Sequence, residues 1–188
     1  MTKALLIGVT ACLFNLVACT RLNSAKPYEI IGPGADGLRA AFNADVGKVR
    51  VLMLVSPTCG ACLNGASEVS EQLVNLEHGK NAAIYVVWVP RLNGLERNVP
   101  AATRVVAASW AQQYWDGRDV LGQQYEQVLG WNDNAWDVYM IYGPKAQWNG
   151  NLPPTPEFFM HQTEEKGPRL DPRTFGSKVE QLLKQSPG

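Results

Sequence analysis

Apolar residues recur along the chain at two spacings, and the alternation of those spacings predicts the elements. Val49-Arg50-Val51-Leu52-Met53-Leu54-Val55 is a nearly continuous apolar run of strand length, the pattern of a central strand covered on both faces. Beyond Ser56-Pro57-Thr58, the residues Leu63, Ala66, Val69, Leu73 and Leu76 return every three or four positions and mark one buried face of a helix. His78-Gly79 closes that helix, with glycine suited to the left-handed position after the last turn. Ala82–Val89 is a second buried strand, stopped by Pro90, and two strands joined by a helix should lie parallel and adjacent. The pattern then predicts a helix from Pro100 to Trp110, a short strand at Gln112–Trp115 and a helix from Val120 to Leu129 ended by Gly130. Asp137–Tyr142, a turn at Gly143-Pro144-Lys145, and Ala146-Gln147-Trp148 read as a hairpin. Asp171 can cap a final helix with Pro172 at its first position and Phe175, Val179, Leu182 and Leu183 on one face. A parallel pair plus a C-terminal hairpin, covered by helices on both faces, is α/β architecture.

Composition narrows the function. Of 188 residues, 46% are hydrophobic and 18% charged, which supplies a core and argues against disorder. Basic and acidic side chains number 17 each, so the basic excess that neutralises phosphates is missing and a nucleic-acid partner is not expected. The N-terminus has one charge, Lys3, ahead of a short apolar stretch from Ala4 to Ala18, which is the layout of an export signal and too short for a membrane span. Leu16-Val17-Ala18-Cys19 resembles a bacterial lipobox, which implies removal of residues 1–18 and lipidation at Cys19. Thr20, standing where Asp could, points toward the outer membrane. Residues 19–45 carry Pro27, Gly32, Pro33, Gly34 and Gly37 and read as a tether leading to a short first element near Leu38–Asn43, ahead of a domain spanning 46–188. The expected location is the cell envelope, facing the periplasm and held at the membrane by lipid.

Removal of the signal takes Cys12 and lipidation blocks Cys19, so Cys59 and Cys62 are left as the reactive sulfur. Cys59-Gly60-Ala61-Cys62 falls between a buried strand and the helix it feeds. Two intervening residues let the sulfurs meet across one helical turn, and the helix N-terminus offers N–H groups and a positive dipole end that suit a thiolate at Cys59. A zinc site would call for a second ligand pair, which the exported chain lacks. An inert disulfide closing so small a loop would add little stability, so redox or metal chemistry is the expected use.

On these residues the chain resembles the thioredoxin-fold superfamily, in particular exported thioredoxin-like thiol–disulfide oxidoreductases. The resemblance covers about Val46 to Leu183, and Val49–Leu76 with Asp137–Trp148 carry it. It implies a central mixed sheet, Cys59 as nucleophile, Cys62 as resolving thiol, envelope protein thiols or disulfides as partners, and no cofactor beyond the redox-active pair. It also places Asp116, Gly122 and Tyr125 in a short strand-helix insertion. The chain departs from the pattern at Thr58, where Trp is usual, at Ser67, where Pro is usual, and at Met53, where a buried acid is common. Trp136 occupies the place of the proline that faces the cysteines, so Trp136 is expected across from them, narrowing the substrate groove. Two alternatives follow from the same resemblance. One is a peroxiredoxin-like peroxidase, although Thr58 directly precedes Cys59 and leaves no Thr-x-x-Cys pocket. The other is a Cu(I) chaperone with Cys59, Cys62 and His161 as ligands. Arg91 and Arg104 are candidates to flank the site, while Glu68 reads as a solvated residue of the helix.

Overall fold

The computed structural model describes residues 27–74, 81–163 and 166–185. The signal segment, Cys12, Cys19, Leu76 and the helix end at His78–Gly79 lie outside the described residues. Within them the chain forms β1 (Glu29–Ile30), α1 (Asp36–Ala44), β2 (Val49–Val55), α2 (Gly60–Val74), β3 (Ala82–Trp88), α3 (Val99–Ala102), β4 (Gln112–Trp115), α4 (Val120–Leu129), β5 (Val138–Tyr142), β6 (Phe158–His161) and α5 (Pro172–Gln185).

The six strands make one mixed sheet in the order β1-β4-β3-β2-β5-β6. β1, β4, β3 and β2 pair in parallel, while β5 runs antiparallel to β2 and β6 antiparallel to β5. Every residue of β2, β3 and β5 is buried, as the continuous apolar runs predict for strands covered twice. Strand alternation divides the core. Val51, Met53 and Val55 face Ala66, Val69 and Leu73 of α2 and Phe175, Val179 and Leu182 of α5. Leu52 and Leu54 face Leu38 and Phe42 of α1 and Leu121 and Tyr125 of α4. A fully buried aliphatic side chain contributes about 1.5–3 kcal/mol, so these two layers hold the helices against both faces of β2. The short first element is α1, and with β1 at the sheet edge the packed structure takes in residues 29–44.

Two expected elements take another form. The strand partner of β5 is Phe158–His161, with Met140 opposite Phe159, and not Ala146–Trp148. Residues 143–148 are instead tied to α1 and β2. The buried Arg50 guanidinium donates to the carbonyls of Phe42 (3.1 Å), Gly143 (2.6 Å), Pro144 (3.2 Å) and Ala146 (2.9 Å). Trp148 exchanges two backbone hydrogen bonds with the Asn43 side chain and sets its ring edge-on against Phe42. A chain held through its carbonyls and one large ring cannot also pair as a strand. The helix expected over Pro100–Trp110 is reduced to α3 with a 3-10 turn on each side, Glu96–Asn98 and Thr103–Val105. Thr103 donates back to the Pro100 carbonyl, Gln113 captures the Thr103 carbonyl, and Ser70 of α2 accepts the Ala107 N–H, so the helical ladder loses its partners to side chains.

Candidate active site

The turn from β2 into α2 is fixed from the side. Ser56 Oγ donates to the Arg91 carbonyl at 2.7 Å, and Thr58 Oγ1 donates to the Leu92 carbonyl at 2.9 Å. Thr58 is therefore spent on the loop that follows β3. Cys59 is the residue at which the helix starts: its carbonyl accepts from Leu63 N–H (3.0 Å), and its Sγ accepts from Cys62 N–H (3.3 Å). The sulfur takes the capping role that Ser or Asp usually fills, and it satisfies a donor that has no partner inside the helix.

Both cysteines are free thiols. Cys62 is fully buried, and Cys59 is 7% exposed. The start of α2 faces a cavity. That cavity, about 600 Å³, is lined by Cys59 and Ala61 on one side and by Trp131, Trp136, Asp137 and Gln162 on the other. The structure thus brings Trp136, half-buried, into the same cavity as Cys59. Every peptide bond among the described residues is trans.

The third member of the site is Asp137. Leu54 of β2 pairs with Val138 of β5, so Asp137, one residue before β5, stands level with the end of β2 from which the cysteines depart. Its backbone is left-handed (φ 52°) and its side chain is buried. Ligand-capable atoms of Cys59, Cys62 and Asp137 all lie within 4.8 Å of one another. The Cys62 sulfur is therefore within 4.8 Å of an Asp137 carboxylate oxygen, and Tyr139 Oη donates to Asp137 Oδ1 at 3.1 Å. Burial raises the Asp137 carboxyl above the usual carboxylate range, opposed by the hydrogen bond from Tyr139, by the nearby Cys62 thiol and by the charge of Arg169. Burial also pushes the Cys62 thiol well up, with the charge of Asp137 the next cause. Tyr139 sits so close to α2 that a Cβ on Gly65 would collide with its hydroxyl and with the Gln162 amide.

Sequence reasoning misses Asp137 and Tyr139. Asp137 reads only as the first residue of a hairpin strand, and its place beside Cys62 is visible only from the antiparallel register of β5 on β2. His161, a ligand only in the Cu(I) alternative, packs among aromatic rings. It is buried on β6 with its ring 5.4 Å from that of Trp131, and Nδ1 is hydrogen-bonded to Thr163 Oγ1 at 3.2 Å. Among the described residues it does not join the cluster of Cys59, Cys62 and Asp137, so the Cu(I) donor set of two thiolates and an imidazole is not assembled. A carboxylate in its place is a hard donor, poorly matched to that ion. Arg91 serves the rim of the cavity, pairing with Asp119 (2.9 Å) and donating to the Asn134 carbonyl (3.2 Å). Arg104 and Glu68 are exposed.

No protein-family model and no curated protein sequence matches the chain. Solved structures do resemble it. A thioredoxin-like protein in its oxidised form, determined in solution, superposes with a TM-score of 0.53 at 12% identity, over 74% of this chain and 80% of that one. The exposed lipoprotein thioredoxin Etrx1 of Streptococcus pneumoniae strain TIGR4 gives 0.48 at 11% identity over 74% and 88%. A secreted disulfide oxidoreductase of Mycobacterium tuberculosis gives 0.44 at 13% identity over 74% and 85%. The first of these carries the assignment: the chain has a thioredoxin-like α/β fold, with a six-stranded mixed sheet and a CxxC pair at Cys59–Cys62.

Proposed function

We propose that this protein is a thiol–disulfide oxidoreductase of the cell envelope that exchanges disulfides with a protein partner through Cys59 and Cys62. The observation that carries the reading is the asymmetry of the pair. Cys59 lies at the cavity wall and the helix N-terminus, while Cys62 waits one turn deeper, fully buried and within reach. The Cys59 thiolate attacks one sulfur of a partner disulfide, forming a mixed disulfide and releasing the other partner sulfur as thiolate. Cys62 then attacks Cys59 Sγ, which yields the Cys59–Cys62 disulfide and the fully reduced partner. The reverse sequence oxidises a partner dithiol. The envelope and the lipid anchor at Cys19, with residues 1–18 as the removed signal, are supported by Leu16-Val17-Ala18-Cys19. Among the described residues no helix is long and apolar enough to cross a membrane.

The test is exchange by the reduced full chain with a disulfide-bonded peptide that carries a fluorophore and a quencher. Cys59→Ser is expected to drop to the uncatalysed background, and Cys62→Ser to accumulate the mixed disulfide. Exchange at the wild-type rate by Cys59→Ser overturns the reading.

A further inference from the structure

We propose that Asp137 is a catalytic residue of this exchange, accepting the proton of the Cys62 thiol as that sulfur attacks the mixed disulfide. The proposal rests on the exchange reaction above and supplies what its second step lacks. A thiol is a poor nucleophile, and Cys62 is fully buried, so bulk water is not at hand to take its proton. Among the described residues, the carboxylate grouped with the two sulfurs is Asp137, and its oxygen lies within 4.8 Å of both. Tyr139 Oη holds one carboxylate oxygen at 3.1 Å and orients the group.

The surroundings suit a proton that must be taken and given back. Burial raises both Asp137 and Cys62 above their ordinary values, and the two groups lie close enough to titrate as a pair. The groups that face the carboxylate are Cys59 and Cys62 from α2, Tyr139 from β5, His161 from β6 and Arg169 beyond it. Positive charge at Arg169 opposes the rise.

The step balances within the pair and its partner. The proton of Cys62 passes to the Asp137 carboxylate, and the electron pair left on Cys62 Sγ forms a bond to Cys59 Sγ. The bond between Cys59 and the partner sulfur breaks, its electron pair leaves with the partner, and the proton from Asp137 completes the partner thiol. The partner is reduced by the two electrons that the Cys59–Cys62 pair loses.

Asn is the informative replacement. It tolerates the left-handed backbone at this position and can still accept from Tyr139, but it cannot take a proton at neutral pH. The experiment uses the full chain with Cys12 and Cys19 as serine and the quenched disulfide peptide as probe. Mixed-disulfide formation is read in a Cys62→Ser background, and resolution as release of the second peptide thiol. Asp137→Asn is expected to leave formation within about twofold and to slow resolution about 100-fold at pH 7, the scale of general-base catalysis. Resolution at the wild-type rate, or equal slowing of both steps, overturns the role of Asp137 while exchange itself stands. Wild-type exchange no faster than Cys59→Ser removes the exchange reading and this proposal together. Should Asp137→Asn fold poorly, the pH profile of Cys62 alkylation by iodoacetamide in Cys59→Ser gives a second test. Two apparent ionisations support the coupled pair, and a single one overturns it.

Discussion

Two buried polar networks flank β2, one on each face of the sheet, and they differ in what can move. On the α1 and α4 face, Arg50 carries a charge that does not titrate in a protein, its terminal nitrogens reach four backbone carbonyls, and its guanidinium lies 4.4 Å from the centre of the Phe42 ring. Carbonyls cannot accept a proton from it, so this network fixes position and nothing else. On the α2 and α5 face, Cys62, Asp137 and Tyr139 all carry exchangeable protons, and burial raises each of them from its ordinary value. Fewer hydrogen bonds hold this group, and its protons can be redistributed without breaking the fold. The contrast shows how one strand can be anchored by a permanent charge on one side and serve proton chemistry on the other.

Arg50→Met attacks the fixed side and is expected to have the largest effect on stability. Four carbonyls lose their donor and the 143–146 segment its tie, a cost of about 3 kcal/mol or more, read as a lower urea midpoint. Exchange by the folded fraction should be nearly unchanged. If resolution slows as much as stability falls, the two faces are coupled and the contrast is wrong. Gly65→Ala attacks the labile side through space alone. The added methyl must displace the Tyr139 hydroxyl, with an expected loss of about 1–3 kcal/mol and slower resolution with mixed-disulfide formation preserved.

The smallest effect is the pH dependence of stability in Asp137→Asn. The folded-state carboxyl of Asp137 is raised, so its favourable contribution is complete below the unfolded-state range and fades as pH climbs through the folded-state value. Asparagine stays neutral throughout. The variant should match wild type near pH 4 and melt higher at pH 8 by a few degrees, about what 1 kcal/mol gives in a chain of this size. A constant difference across that range would mean that Asp137 is not destabilised by ionisation. Asp116, also raised by burial, is present in both proteins and cancels in the comparison.

What the sequence disclosed follows the reach of the signals. β2, α2, β3, β4 and α4 and the cap of α5 at Asp171 rest on periodicity or on one residue a few positions away, and each lies where the pattern puts it. The CxxC pair is likewise local. The hairpin went astray because Ala146–Trp148 offers a plausible strand at short range, while Arg50 and Asn43, about a hundred residues earlier, claim that segment. Phe158-Phe159-Met160-His161 is a strand-like run after Pro156, but nothing nearby says which strand it joins. Asp137 was illegible for the same reason: its burial is a property of the register between β2 and β5. His161 entered only as a ligand of the Cu(I) alternative, and Trp131 and Thr163 account for its surroundings.

The antiparallel return of β5 also bears on timing during folding. The sulfurs belong to a βαβ unit whose contacts close short loops, whereas Tyr139 meets the Cys62 carbonyl across 77 residues of chain. Contacts between distant residues pay a larger loop-closure cost and tend to form late. We therefore expect a nascent chain to hold a paired but sluggish dithiol first, and to gain its proton acceptor only when β5 docks. Stopped-flow refolding should show the Asp137-dependent resolving rate recovering after the helical signal, and simultaneous recovery would refute the order. Competence for the second half of the exchange then serves as a molecular certificate of completed folding, issued by the last strands to arrive.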